Sequence, residues 1–325
     1  YKYFKEINVD MPLAIELGLI SESKGKYYDK YRNRVIFPII NTSGKVIGFG
    51  GRAIGDDNPK YINSSESKIF QKKNNLYGLN ISRQEISKEG QAILVEGYMD
   101  LIGLFQYGIR NVVASLGTSL TENQAKLLKR YTKEVILSYD ADEAGRTAAM
   151  RGLDVLNKVN CKVKVLHVTE GKDPDEFIRK NGKTSFLNLV ENALPYGDYK
   201  LESIKKGFDF SKDEDKIDYI KKATEILKEL RPVEADVYIQ KLAKELKISE
   251  GAIRMEIFDK APKENIHNIY IKDEQSIQIK EINVLEKYLI KIMLTNDAYI
   301  DLVREKSEML VSDFSNKIFN IIFDE

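Results

Sequence analysis

A chain of 325 residues, 42% hydrophobic and 31% charged, has the composition of a globular protein long enough for two or three domains, each with its own core. Fifty-one Lys and Arg against 50 Asp and Glu leave a net charge of +1, so the overall charge says nothing about nucleic acid. One cysteine and two histidines exclude a disulfide framework and a cysteine-type zinc site; any metal must be held by carboxylates, which favours Mg²⁺, with Mn²⁺ as the alternative.

In chain order, residues 1–20 read as a short helix and turn. Residues 33–54 read as two strands joined by a turn at Asn41–Gly44, and glycines 48, 50 and 51 inside the second strand point to a bulge or a close backbone approach. Residues 21–83 hold twelve Lys and Arg against five Asp and Glu, a local excess of +7. Such an excess is the footprint of a phosphate-binding surface or of a solvated charged face.

From about residue 91 strands and helices alternate. Ala92–Val95 reads as a buried strand, Met99–Tyr107 as a helix and Asn111–Ser115 as a second strand. Thr121 and Gln124 form a capping box that opens a helix running to Tyr131. Glu134–Tyr139 is a third strand, Glu143–Val159 a helix and Lys162–Val168 a fourth strand, so the fold class is α/β with a parallel sheet. Cys161, at the head of the last strand, reads as a small buried apolar residue.

After Pro195 the strands stop. Asp213–Leu230, Val233–Leu246 and Ser249–Phe258 carry apolar residues at helical spacing, with Pro232 separating the first from the second. Residues 261–280 read as a linker, and 281–325 return to amphipathic helix. No apolar run is long enough for a membrane span. A chain that opens on Tyr1, with no initiating Met and no signal peptide, is expected to be cut from something longer.

Functional groups of parallel sheets sit beyond the carboxyl ends of the strands, and three strands place acids there. Glu96 follows the first, Asp140 and Asp142 follow the third, and Asp173 and Asp175 lie just past the fourth. Residues two apart in extended chain face one side, so Asp140 and Asp142 can share a site, and a divalent cation relieves the repulsion of clustered carboxylates. Plainer roles compete: Glu96 as a strand-end charge, Asp140 and Asp142 as turn formers, and Asp173 as the N-cap of a helix with Pro174 at its first position. Gly48–Ala53 fits a loose dinucleotide-binding pattern, but the turn at Gly55-Asp-Asp-Asn-Pro stands where a helix should open. No Gly-x-x-x-x-Gly-Lys-[Ser/Thr] phosphate loop is present.

Glu-Gly-Tyr-Met-Asp (96–100), Ser-Leu-Gly-Thr-Ser (115–119), Tyr-Asp-Ala-Asp-Glu-Ala-Gly-Arg (139–146) and Asp-Pro-Asp (173–175) resemble the toprim domain of bacterial DNA primases of the DnaG type. Arg-Asn-Arg-Val-Ile-Phe-Pro-Ile (32–39), Gly-Phe-Gly-Gly-Arg (48–52), Pro-Lys-Tyr-Ile-Asn-Ser (59–64) and Phe-Gln-Lys (70–72) through Leu-Tyr-Gly-Leu (76–79) resemble the N-terminal part of their RNA-polymerase core. The likeness spans roughly residues 1–260, and Ala141 stands where the family commonly has Gly.

The resemblance implies a mixed α+β basic subdomain over 1–85, a toprim domain over 86–195, a helical bundle over 196–260 and, in 281–325, the truncated start of a helicase-binding region. It implies a cytoplasmic enzyme making short RNA primers on single-stranded DNA from ribonucleoside triphosphates, with an RNA–DNA hybrid as product and the replicative helicase as partner. Glu96, Asp140 and Asp142 would be catalytic and hold the metal, with Asp100, Asp173 and Asp175 beside them. Arg32, Arg34, Arg52, Lys60, Lys72, Tyr61 and Asn63 would contact nucleic acid and nucleotide. The zinc-binding domain of the family has no counterpart residues here. Two alternatives stand beside this reading: another toprim enzyme, a nuclease or a topoisomerase, and a non-catalytic module binding nucleic acid or helicase.

Overall fold

Alternation of polar and apolar residues around a tight turn builds the first recognisable unit. In the computed structural model, which describes residues 1–258 other than Thr118, Ala141 and Thr169, strands β3 (Arg34–Ile40) and β4 (Val46–Ala53) pair antiparallel as expected. Asn41 closes their turn: its side-chain oxygen accepts from the backbone N–H of Ser43 and Lys45, each at 3.0 Å. A third strand, β5 (Tyr61–Asn63), adds to the free edge of β4. Ahead of this sheet lie helices α1 (Lys2–Glu6) and α2 (Met11–Glu16) and a separate hairpin, β1 (Ile20–Ser23) with β2 (Lys26–Asp29). The expected linker and the segment 281–325 lie outside the described residues.

The glycines of β4 are sites of close approach, as their spacing suggested. A Cβ on Gly50 would lie 2.7 Å from the Tyr98 ring, and one on Gly51 would lie 2.7 Å from Tyr31. The Gly48–Ala53 run is thus strand throughout, which removes the dinucleotide-binding reading.

Helix α3 (Leu79–Glu89) leads into the second sheet. Its strands are β6 (Gln91–Val95), β7 (Val112–Ala114), β8 (Glu134–Leu137), β9 (Lys162–Val165) and β10 (Leu194–Pro195), in the spatial order β10-β9-β8-β6-β7. Four of them run parallel; β10 is a short antiparallel edge. Helices α4 (Tyr98–Gln106), α5 (Glu122–Lys129), α6 (Glu143–Lys158) and α7 (Pro174–Glu191) connect and cover them. Successive strand residues serve opposite faces. Leu94, Val113, Leu137 and Val163 enter one buried cluster, and Ile93, Val95, Val112 and Ile136 enter the other. Two covered faces explain why Ala92–Val95 reads as an unbroken apolar run.

Strand β9 stops at Val165, three residues short of the expected end. Its partner β8 ends opposite it at Leu137, where the chain leaves the ladder for the acidic loop. The expected capping box is formed: Thr121 accepts from the Gln124 N–H at 3.2 Å, and the Gln124 side chain accepts from the Thr121 N–H at 2.9 Å. Cys161 is buried, and that burial pushes its thiol pKa up.

A helical bundle follows: α8 (Tyr196–Lys205), α9 (Asp213–Lys228), α10 (Pro232–Leu246) and α11 (Glu250–Phe258). It is tied to the sheet domain by Lys200, whose buried ammonium reaches Asp154 of α6 at 2.7 Å and Glu229 at 2.6 Å. No helix among the described residues is long and apolar enough to cross a membrane.

Candidate active site

Connections leave the central strand β6 in two directions. Helix α4 leads to β7 on one side, and the chain then returns through α5 to β8 on the other. Such a reversal opens a crevice at the carboxyl ends of the two strands, where crossovers diverge. Glu96 follows β6 and Asp140 follows β8, and the Asp140 N–H donates to Glu96 Oε1 at 3.3 Å. The Glu96 carboxylate beyond one strand tip therefore reaches the main chain of the acidic loop beyond the next.

The other acids are set by helix termini. Asp100, in the first turn of α4, is only 7% exposed and accepts from the Gly97 N–H at 2.9 Å. Asp142 caps α6, accepting from the Gly145 N–H at 2.7 Å, and Asp173 caps α7, accepting from the Glu176 N–H at 2.7 Å. Asp173 thus takes the capping role weighed for it, and Asp142, read as a turn former, is a cap as well, but each cap bond uses one carboxylate oxygen of two. Asp175 pairs with Arg179 at 2.7 Å and rests against Gly103 of α4, where a Cβ would lie 1.9 Å from its Oδ1.

Crowding shows in the proton affinities. Burial first, then repulsion from Asp173 and Asp140, pushes the Asp100 carboxyl up to about 7. Burial first, then Glu96, Asp173 and Asp142, pushes Asp140 up to about 7 as well. Glu96 is raised chiefly by burial, against the opposing hydrogen bond from the Asp140 N–H. Among the described residues no three acids are already gathered as a finished metal cage. Electrostatic coupling reaches further than ligation, so coupled carboxylates and the lack of a closed cage are compatible. The donors are all oxygens, the set that suits Mg²⁺ or Mn²⁺.

The basic residues divide. Arg52 lies opposite Tyr61 across β4 and β5, with its guanidinium 5.7 Å from the Tyr61 ring centre. Tyr61 is 36% exposed, and its phenol is raised by burial, lowered by Arg52, and raised again by Asp100, Asp173 and Asp175. This pair therefore sits within electrostatic reach of the acids. Lys72 lies near Lys30, whose pKa falls through burial and that neighbouring charge. Lys60 is exposed. Arg34 Nη1 donates to Gly51 O at 3.3 Å and to Lys60 O at 3.4 Å. Arg32 lies 4.8 Å over the ring of Tyr28.

Asn63 is used differently from the nucleotide contact expected of it. Its side-chain oxygen accepts from the Tyr98 hydroxyl, and its amide donates to Leu116 O at 3.2 Å, so both ends join β5 to the parallel-sheet domain. Tyr98, which residue reasoning passed over inside Glu-Gly-Tyr-Met-Asp, stacks on Phe37 at 5.3 Å, meets Tyr77 edge-on at 4.6 Å and presses on Gly50. The one hint in the sequence was Gly50 itself, a strand glycine with a bulky neighbour. Tyr98→Phe is expected to cost about 1 kcal/mol through the orphaned Asn63 oxygen, and Tyr98→Ala about 3–5 kcal/mol, both read by denaturant unfolding.

The parallel sheet with carboxylates at its switch point defines a toprim-type protein, and the Toprim-like family model matches residues 93–178. Models for the N-terminal domain of the DNA primase catalytic core and for the DnaB-helicase binding domain of primase match residues 1–83 and 198–251. A DNA primase of Clostridium acetobutylicum is 45% identical over 317 residues, covering 95% of this chain and 53% of that protein. The crystal structure of a DNA primase domain from Pseudomonas aeruginosa superposes with a TM-score of 0.68 at 34% identity, covering 78% of this chain and 82% of that one. A DnaG primase catalytic domain solved bound to ssDNA gives a TM-score of 0.68 at 34% identity, covering 77% of this chain and 81% of that one. The chain belongs to the bacterial DNA primase family, DnaG type. It spans about half the length of the Clostridium relative.

Proposed function

We propose that the chain is the RNA-polymerising core of a replicative primase, joining ribonucleotides on a single-stranded DNA template. The observation that carries this reading is the meeting of Glu96 with the Asp140 loop at the sheet's switch point, with Asp100 buried beside them. Glu96, Asp140 and Asp142 would hold divalent cations, with Asp100, Asp173 and Asp175 tuning the charge around them. When bound, such cations lower the pKa of an attacking 3′-hydroxyl and neutralise a pyrophosphate leaving group. The Glu96 carboxylate is held toward that position by the Asp140 backbone N–H. Arg52 and Tyr61 face a nucleotide entering from the N-terminal sheet, and Lys60 and Lys72 hold backbone phosphates without reading sequence.

The helicase contact was expected from 281–325. The family match over 198–251 favours the α8–α11 bundle instead as the face for a DnaB-type helicase. Incubation with a single-stranded template, ribonucleoside triphosphates and Mg²⁺ tests the activity. Extended ribonucleotide products are expected; cutting of the template would instead favour a nuclease.

Proton linkage gives a second test. Asp100 and Asp140 titrate near 7 when folded and near 3.8 in their ordinary state. The folded form gains from their protonation, so that gain is complete below the lower value and is lost as pH rises through the upper one. With chelator present, the melting temperature is expected to fall from about pH 5 to about pH 8, and less steeply in Asp140→Asn. Added Mg²⁺ should raise it more at the higher pH, since ionised carboxylates bind the cation. An equal Mg²⁺ effect at both would remove these acids from a cation site.

A further inference from the structure

Helix α4 ends in a turn that its sequence dictates. Gly108 takes φ +80°, its N–H donates to Phe105 O, and the Ile109 N–H donates to Leu104 O, both at 3.0 Å. The turn folds the chain back on the helix, and the Arg110 guanidinium comes to lie 5.1 Å from the centre of the Phe105 ring. Stacking on a ring face leaves the edge of a guanidinium, with its N–H donors, open to an anion. No carboxylate among the described residues takes up those donors.

Arg110 also lines an open groove of about 450 Å³. Pro38 and Ile40 of β3, Ile81 of α3, and Ile102 and Phe105 of α4 give the groove apolar walls, and Ile81 is 59% exposed. Single exposed apolar residues are ordinary, but a contiguous apolar concavity is the mark of a binding surface. Its volume falls within the range of small-molecule sites, about 300–1,000 Å³. Arg110 is the one charged residue of the lining. Apolar walls with one stacked cation complement an apolar body that ends in an acid group.

We propose that this groove binds an amphipathic organic acid, with its apolar body against Ile81, Ile102 and Phe105 and its acid group on Arg110. The groove shares α4 with Asp100 but is lined by none of the crevice acids, so its occupation can be measured apart from the polymerase chemistry. Burial of the apolar body supplies the affinity, and the guanidinium selects acids over uncharged molecules of the same shape.

The chain has no tryptophan, so Ile81→Trp places a single indole in the groove. Bromine quenches an indole on contact, and undecanoate brominated at its chain end is the probe. Saturable quenching is expected, reversed by unbrominated undecanoate, with brominated undecanol needing about fivefold or more higher concentration. Adding Arg110→Gln should raise the undecanoate midpoint about fivefold or more and leave the undecanol midpoint in place. Gln106→Trp, on the α4 side of the groove, is the second reporter if far-UV circular dichroism shows that Ile81→Trp disturbs α3. Quenching that rises linearly without saturation overturns the site, and so do equal midpoints for acid and alcohol. Neither result bears on the primase reading, which primer extension tests separately.

Discussion

Asp142→Asn is expected to abolish primer synthesis while leaving the fold almost untouched. Asp142 accepts from the Gly145 N–H to cap α6, and Asn caps a helix about as well as Asp, so the structural role survives the substitution. What is lost is the negative charge that Asp142 would offer to a divalent cation in the proposed site with Glu96 and Asp140. Groups that only support a metal ligand cost about 10–100-fold when removed, so loss of a ligand should exceed about 100-fold. Melting within a degree or two of the parent, with template binding retained and extension gone, is the expected pattern. Full extension activity in Asp142→Asn would take Asp142 out of the chemistry.

Gly145→Ala should be nearly as damaging to activity, and damaging to stability too, against the ordinary rule. In a helix, replacing Gly by Ala gains up to about 1 kcal/mol. Here the added Cβ would lie 2.2 Å from the Asp140 carbonyl oxygen and 3.0 Å from its backbone nitrogen. Those are main-chain atoms, which cannot swing aside as a side chain can. The Asp140 turn must therefore move, and the N–H that it donates to Glu96 moves with it. Overpacking of this kind costs about 1–3 kcal/mol, more than the propensity gain. A variant more stable than the parent with full activity would show that the turn yields freely.

Gly103 on α4 makes the same point on the other side of the site. Asp175 packs where its side chain would be, so the approach of α7 to α4 depends on an absent Cβ. Neither glycine looks functional in the linear chain. A glycine inside a helix is itself a cue that something presses against the backbone, but it does not say what.

Local chemistry was enough for much of this protein. Alternation of apolar runs with capped helices specified a parallel sheet, because strands buried on two faces must be apolar throughout. The acids beyond three strands were legible for the same reason, although β8 and β9 end before the sequence suggested. The division of the basic residues was not legible. Arg34 and Asn63 have the composition of contacts to nucleic acid, yet Arg34 Nη1 donates to two backbone carbonyls, and Asn63 donates to Leu116 O and accepts from the Tyr98 hydroxyl. Which polar groups remain for a ligand is a matter of neighbours brought together across dozens of residues, such as Asn63 with Leu116. The raised proton affinity of Asp100 and Asp140 has the same origin, since burial and opposing charge exist only once β6, β8, α4 and α7 are packed.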